Sequence, residues 1–142
     1  MIQVKHLLED KGDQVFSIQP DASVRDAIKS MAEHRIGALL VIANNQLVGV
    51  VTERDYARKV ILQGRGSSET KVDEIMVTEP ISVLPDDSVE HCMALCTDRR
   101  IRHLPVVADG RVVGLVSIGD LVKSVISQQA EQLRHLEQYI AG

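Results

Sequence analysis

Apolar positions along this chain keep two rhythms. Val24, Ala27, Ile28 and Met31 recur at three- and four-residue spacing, which places them on one face of a helix. Leu39 to Ile42 and Leu47 to Val51 are instead continuous runs rich in β-branched residues on either side of Asn44-Asn45, a pattern that predicts two strands joined by a tight turn. Ahead of them, Val4, Leu7 and Leu8 predict a short lead-in helix stopped near Gly12, and Val15 to Ile18 a short strand ended by Pro20. Asp21 or Ser23 can cap the next helix. Thr52 opens another helix, predicted to reach about Leu62.

The order then repeats. A strand is predicted near Ile81 to Val83, a helix from Ser88 to about Asp98, strands over Leu104 to Val107 and Arg111 to Val116 around Asp109-Gly110, and a helix from Ser117. Pro20-Asp21-Ala22-Ser23-Val24 returns as Pro85-Asp86-Asp87-Ser88-Val89, and the run from Leu47 to Asp55 returns from Val112 to Asp120. Both returns share one offset, 85 − 20 and 120 − 55 each giving 65 residues. Between the copies, Gly64-Arg65-Gly66-Ser67-Ser68 and Glu69-Thr70-Lys71 read as a linker, and Val72, Ile75 and Met76 as a small helix mirroring the N-terminal one. The expectation is an α/β fold of two β-α-β-β-α repeats, residues 1–66 and 67–142, stacked about a pseudo-twofold axis. Function should lie where they meet.

The last helix outruns its counterpart. Val122, Ile126, Gln129, Leu133, Leu136 and Ile140 alternate spacings of four and three, the seam of a two-helix contact, which predicts a homodimer with the tail taking part. The competing expectation is a tail that packs back on its own domain.

Composition narrows the function classes. Only 2% of residues are aromatic and there is no Trp, which disfavours a stacking platform for single-stranded nucleic acid. A net charge of −4 gives no overall attraction to phosphate backbones or anionic lipid. No apolar run approaches membrane-spanning length, and the N-terminus turns polar too early for a signal peptide, so the expectation is a soluble, cytoplasmic protein. No Ser/His/Asp arrangement, Gly-rich phosphate loop or zinc spacing stands out, so no enzymatic activity is expected.

The candidate chemistry lies in two copies of one short motif, Gly49-Val50-Val51-Thr52-Glu53-Arg54-Asp55 and Gly114-Leu115-Val116-Ser117-Ile118-Gly119-Asp120. Each sits where a strand hands over to a helix, where free backbone N–H groups favour an anionic or polyhydroxyl ligand. A carboxylate three residues after a hydroxyl can take both hydroxyls of a ribose; equally, the pair can be an N-cap with a favourable first-turn charge. Arg99, Arg100, Arg102 and His103 form the one dense basic run, and Arg54, Arg58 and Lys59 a second group of cations.

With its paired units and doubled Gly-aliphatic-aliphatic-Ser/Thr-x-x-Asp motif, the chain resembles a tandem cystathionine-β-synthase (CBS) domain pair, the Bateman module, from about Phe16 to Ile126. The resemblance implies a regulatory module that binds an adenosine-containing ligand, AMP first and ATP, NAD or NADH, or S-adenosylmethionine as others, and signals its state to a partner protein. It implies riboses held by Asp55 and Asp120 beside Thr52 and Ser117, and adenine received at Ile36-Gly37-Ala38 or its copy Ile101-Arg102-His103, with Arg102 and His103 near phosphate. On this pattern Asp120 faces Ile36-Gly37-Ala38 and Asp55 faces Ile101-Arg102-His103. Gly37, Ala38 and Gly119, with Leu115 in the same motif, favour the Asp120 cleft, since Arg54 stands where the other copy has Gly119. Two other functions compete: a metal- or redox-sensing module through His91, Cys92 and Cys96, and nucleic-acid binding through Arg99 to His103. The alignment of Cys92 and Cys96 with Ala27 and Met31 favours burial over the first.

Overall fold

A computed structural model describes residues 2–11 and 15–141; the stop expected near Gly12 lies outside them. Helix α1 covers Val4–Lys11, strand β1 Ser17–Ile18, helix α2 Val24–His34, and strands β2 and β3 Ala38–Ala43 and Gln46–Thr52. A short helix α3, Glu53–Tyr56, continues as a wider π-type turn over Ala57–Ile61, and a single 3-10 turn spans Val72–Glu74. Strand β4 is Val77–Thr78, helix α4 Val89–Arg99, strands β5 and β6 His103–Ala108 and Arg111–Ser117, and helix α5 Ile118–Ala141.

Local chemistry explains these boundaries. Ser23 Oγ accepts the Asp26 N–H at 3.1 Å and Ser88 Oγ the His91 N–H at 3.0 Å, so serine is the cap in both repeats. Both hairpin turns need positive φ at two positions, met by Asn44 and Asn45 (52° and 64°) and by Asp109 and Gly110 (53° and 76°). Helices α2 and α4 end on Arg35 and Arg100, each at φ 55° in the left-handed region.

Strands β2 and β3 are buried on both faces. Leu39, Val41 and Val51 point towards Val24, Ala27 and Met31 of α2 and form the first core. Ala38, Leu40 and Val50 point the other way and meet Val112 and Leu115 of β6, so the two sheets pack face to face across the pseudo-twofold axis. The second core gathers Val89, Cys92 and Cys96 of α4 with Leu104, Val106, Val116 and Leu121. The expected strand at Ile81 to Val83 is reduced to one parallel bridge, Val83 to Val106, equivalent to the Ile18–Val41 pair.

The repeats exchange their lead-in segments. Val4 and Leu7 of α1 are buried in the second core, whereas Val72 and Ile75 are buried in the first, and β4 pairs with β3. The backbone bonds on the two sides correspond one to one. Val4 N–H donates to Asp87 O and Val72 N–H to Ala22 O; Lys5 N–H donates to Pro85 O and Asp73 N–H to Pro20 O; Val89 N–H donates to Ile2 O and Val24 N–H to Thr70 O, all at 2.8–3.0 Å. The boundary expected at residue 66 therefore separates the sequence copies but not the cores.

The motif glycines serve this exchange. A Cβ on Gly49 would lie 2.8 Å from Met76 Sδ and 2.8 Å from the Val77 carbonyl oxygen, and one on Gly114 would lie 2.5 Å from Leu8 Cδ2. Gly119 has no such requirement, since a Cβ there would meet only Ser117 Oγ at 3.5 Å.

Candidate functional site

Each motif closes on itself as a helix cap. Asp55 Oδ2 accepts the Thr52 N–H and the Thr52 hydroxyl, both at 3.0 Å, and Thr52 Oγ1 accepts the Asp55 N–H at 3.1 Å. In the second copy Asp120 Oδ2 accepts the Ser117 N–H at 2.8 Å, and Ser117 Oγ accepts the Asp120 N–H at 3.1 Å. The first helical amides are also taken: Glu53 N–H donates to Gly37 O at 3.1 Å and Ile118 N–H to Arg102 O at 2.8 Å. The expected supply of free N–H groups is thus largely spent within the fold, and attraction for an anion falls to side-chain cations.

Those cations converge on one side. An open cleft of about 680 Å³, within the ~300–1,000 Å³ range of small-molecule sites, lies between α3 and the start of β5. It brings together Gly37, Thr52, Arg54, Asp55, Arg102 and His103 from the expected set. Arg58, Lys59 and Arg100 add three cations, so that five Lys or Arg side chains stand against Glu53, Asp55 and Glu79. Lys59 Nζ is 3.2 Å from Asp55 Oδ1 and donates to Ile75 O at 2.8 Å, while Arg54 Nη1 reaches Arg100 O at 3.4 Å. Of the basic run, Arg100, Arg102 and His103 line a concave site and do not form an outward stripe. Glu79, Pro80 and Ile81 complete the wall, and no sequence signal singles them out; they come from the stretch after β4 and are placed by the exchange of lead-ins.

The second carboxylate is in a different setting. Lys11 Nζ donates to Asp120 Oδ2 at 2.7 Å and to Leu115 O at 2.8 Å, tying the end of α1 to the start of α5. Partial burial pushes the Asp120 carboxyl up, but the bonds from Lys11 and Ser117 outweigh it and hold the group below the usual carboxylate range. The groove beside it is smaller, about 380 Å³, and is lined by α1 and α5. Among the described residues it includes none of Ile36, Gly37 and Ala38. Ile36 packs against the first core, Ala38 is buried between the two sheets, and Leu115 packs there too. Asp55 shares its cleft with Ile101, Arg102 and His103, whereas Asp120 is bonded by Lys11 beside a groove lined by residues of α1 and α5. Gly37 lines the Asp55 cleft, where a Cβ on it would meet Glu53 Oε1 at 3.4 Å and His103 Nε2 at 3.6 Å, and Ala38 is buried between the sheets.

His103 stands between the two carboxylate sites. Its burial, with Lys11 and Arg102 nearby, pulls its pKa down against the opposing pull of Asp120. Cys92 and Cys96 lie in the second core, and burial pushes the Cys92 thiol up to about 11, so it rests as a protonated, buried thiol near neutral pH. His91 is exposed on the same helix, away from that face.

Comparison with known proteins agrees with the repeat architecture. The CBS domain family model matches twice, over residues 8–61 and 72–127, and the chain belongs to this family. It is 48% identical over 127 residues to the CBS domain-containing protein CBSX3, mitochondrial, of Arabidopsis thaliana, covering 86% of this chain and 62% of that protein's length. A protein with CBS domains from Burkholderia ambifaria superposes with a TM-score of 0.87 at 50% identity, covering 90% of this chain and 96% of the other. Two more distant structures carry ligands. The CBS domain pair of the protein MJ0100 (27% identity, TM-score 0.80, 90% and 98% coverage) is in complex with 5′-methylthioadenosine and S-adenosylmethionine. The CBS domain protein PAE2072 from Pyrobaculum aerophilum (29% identity, TM-score 0.75, 84% and 89% coverage) is complexed with AMP. Among the described residues, no helix is long and apolar enough to cross a membrane.

Proposed function

We propose that this chain is a regulatory module that binds an adenine nucleotide in the Asp55 cleft and passes its ligand state to a partner protein. The observation that carries the reading is the pairing of Asp55 with five cationic side chains around one open cleft in an otherwise acidic chain. Asp55 keeps Oδ1 for a ribose hydroxyl once Lys59 turns aside, and Arg102, Arg58 and Arg54 offer forked donors suited to phosphate oxygens. AMP in PAE2072 and S-adenosylmethionine in MJ0100 support an adenosine ligand. The excess of positive charge favours AMP, ATP or NAD over S-adenosylmethionine, whose sulfonium would meet like charges. A sensor is preferred to an enzyme because the hydroxyl and carboxylate of each motif are engaged in capping. This reading ranks the Asp55 cleft first, where Gly37, Ala38 and Gly119 in the sequence point to the Asp120 cleft; the gathered cations support that choice. We further read the chain as a homodimer, from the exposed apolar stripe of α5.

Titration calorimetry with AMP, ATP, NAD and S-adenosylmethionine tests the site. Asp55→Ala and Arg102→Ala should each weaken phosphate-bearing ligands about ten- to a hundredfold, the loss of one charge-assisted bond of roughly 1.5–3 kcal/mol. Asp120→Ala should leave that binding within about threefold. Arg102→Ala spares the α3 cap, so its loss of affinity cannot be ascribed to a weakened fold. An unchanged affinity in both cleft variants, with loss in Asp120→Ala, would return the site to the other motif.

A further inference from the structure

The homodimer reading leaves open how two tails would meet, and the exposed half of α5 carries enough pattern to decide it. From Gln129 to Ala141 every residue of the helix is exposed, so the tail does not pack back on its own subunit. Leu133, Leu136 and Ile140 are 56%, 54% and 75% exposed, and the stripe continues back through Ile126 to Val122, where the helix lies on the body. One edge of this stripe bears Lys123, Ala130 and Glu137, and the other Gln132 and Tyr139, preceded by Val125, which packs on the second core.

Resting on that reading, we propose that two copies of α5 pair antiparallel, with Glu131 at the level of the twofold axis. In this register Val122 lies opposite Ile140 of the partner subunit, Ile126 opposite Leu136 of the partner subunit, and Gln129 opposite Leu133 of the partner subunit. All six seam positions are used, over about 27 Å of helix. The same register sets Lys123 beside Glu137 of the partner subunit twice, once on each side of the axis. It also brings the two Gln129 carboxamides into adjacent central layers. A parallel pair would stack Gln129 on itself, put Glu137 beside Gln132, and leave Lys123 and Glu137 about 21 Å apart along the helix without opposite charges.

Charge reversal separates the arrangements. By sedimentation equilibrium at low salt, K123E and E137K should each weaken dimerisation about tenfold or more, because each turns two attractive contacts into two repulsive ones. The double variant K123E/E137K should return to within about threefold of the unmodified chain. A maleimide cross-linker of about 8 Å should capture A130C as a covalent dimer, since Ala130 is flanked by its own copy only in the antiparallel pair; Cys92 and Cys96 are buried and do not compete. A dimer that shows neither rescue nor cross-link overturns the antiparallel pairing and leaves the homodimer reading in place. A chain that stays monomeric throughout overturns both.

Discussion

Asp55 and Asp120 hold equivalent places, yet each is matched to a different lysine. Lys59 comes from one turn along the same helical segment, whereas Lys11 is brought from the far end of α1. Each lysine also donates to a backbone carbonyl of another segment, Lys59 to Ile75 O and Lys11 to Leu115 O, so either one leaves its carboxylate only by giving up that tie as well. His103, between the two sites, gives the pH dependence. Its folded pKa lies below the ordinary 6.5, so its contribution to stability is complete above that value and lost as pH falls through the folded value. An anionic phosphate arriving beside it would raise that pKa, so nucleotide binding should take up a proton. Calorimetry near pH 6.5 in buffers of different ionisation enthalpy should show proton uptake with NAD, whose diphosphate, unlike the phosphomonoester of AMP, carries no proton titrating near that pH, and the uptake should be abolished in His103→Gln; a buffer-independent heat would mean the phosphate sits elsewhere.

At the scale of elements, the exchanged lead-ins explain why glycine stands at the head of each motif. Gly49 is closed in by the Val77 backbone, which cannot give way, and Gly114 by the end of a flexible Leu8 side chain. Gly49→Ala should therefore cost about 1–3 kcal/mol through overpacking, and Gly114→Ala distinctly less. Urea unfolding at neutral pH measures both, and an equal or reversed cost would show that β4 yields as easily as α1. The π-type turn after α3 departs from the regular helix expected to Leu62. Leu62 N–H bonds back five residues to Ala57 O at 3.0 Å, and the turn carries Arg58 and Lys59 at the cleft wall while Val60 stays in the core.

For the whole molecule, the two halves differ most beyond their last strands. The first ends in a short helix and π-type turn that serve the cleft; the second runs on for 24 residues in α5 and leaves an apolar stripe in water. Burying an aliphatic side chain gains roughly 1.5–3 kcal/mol. A chain ending at Ser127 keeps both cores and the Asp55 cleft, so it should bind nucleotide as before but dimerise at least tenfold more weakly. Sedimentation of the two chains with a parallel binding titration measures both; an unchanged dimerisation constant would place the interface on the repeat helices.

The repeat, the strand pairs, the capping serines and the apolar stripe of the tail helix were legible in the sequence because each rests on contacts between near neighbours: alternation, helical spacing, and a side chain reaching an amide three residues on. The same locality made the CBS resemblance readable from Gly49 to Asp55 and from Gly114 to Asp120. Only the tertiary structure decided which half each lead-in joins, that Ala38 faces the other sheet, and that Lys11 closes on Asp120 while the cations gather at Asp55. Those outcomes depend on which of two nearly identical repeats a segment packs against. Two copies of one pattern offer equivalent docking surfaces, and the choice between them falls to long-range packing and backbone pairing, which a one-dimensional period does not contain.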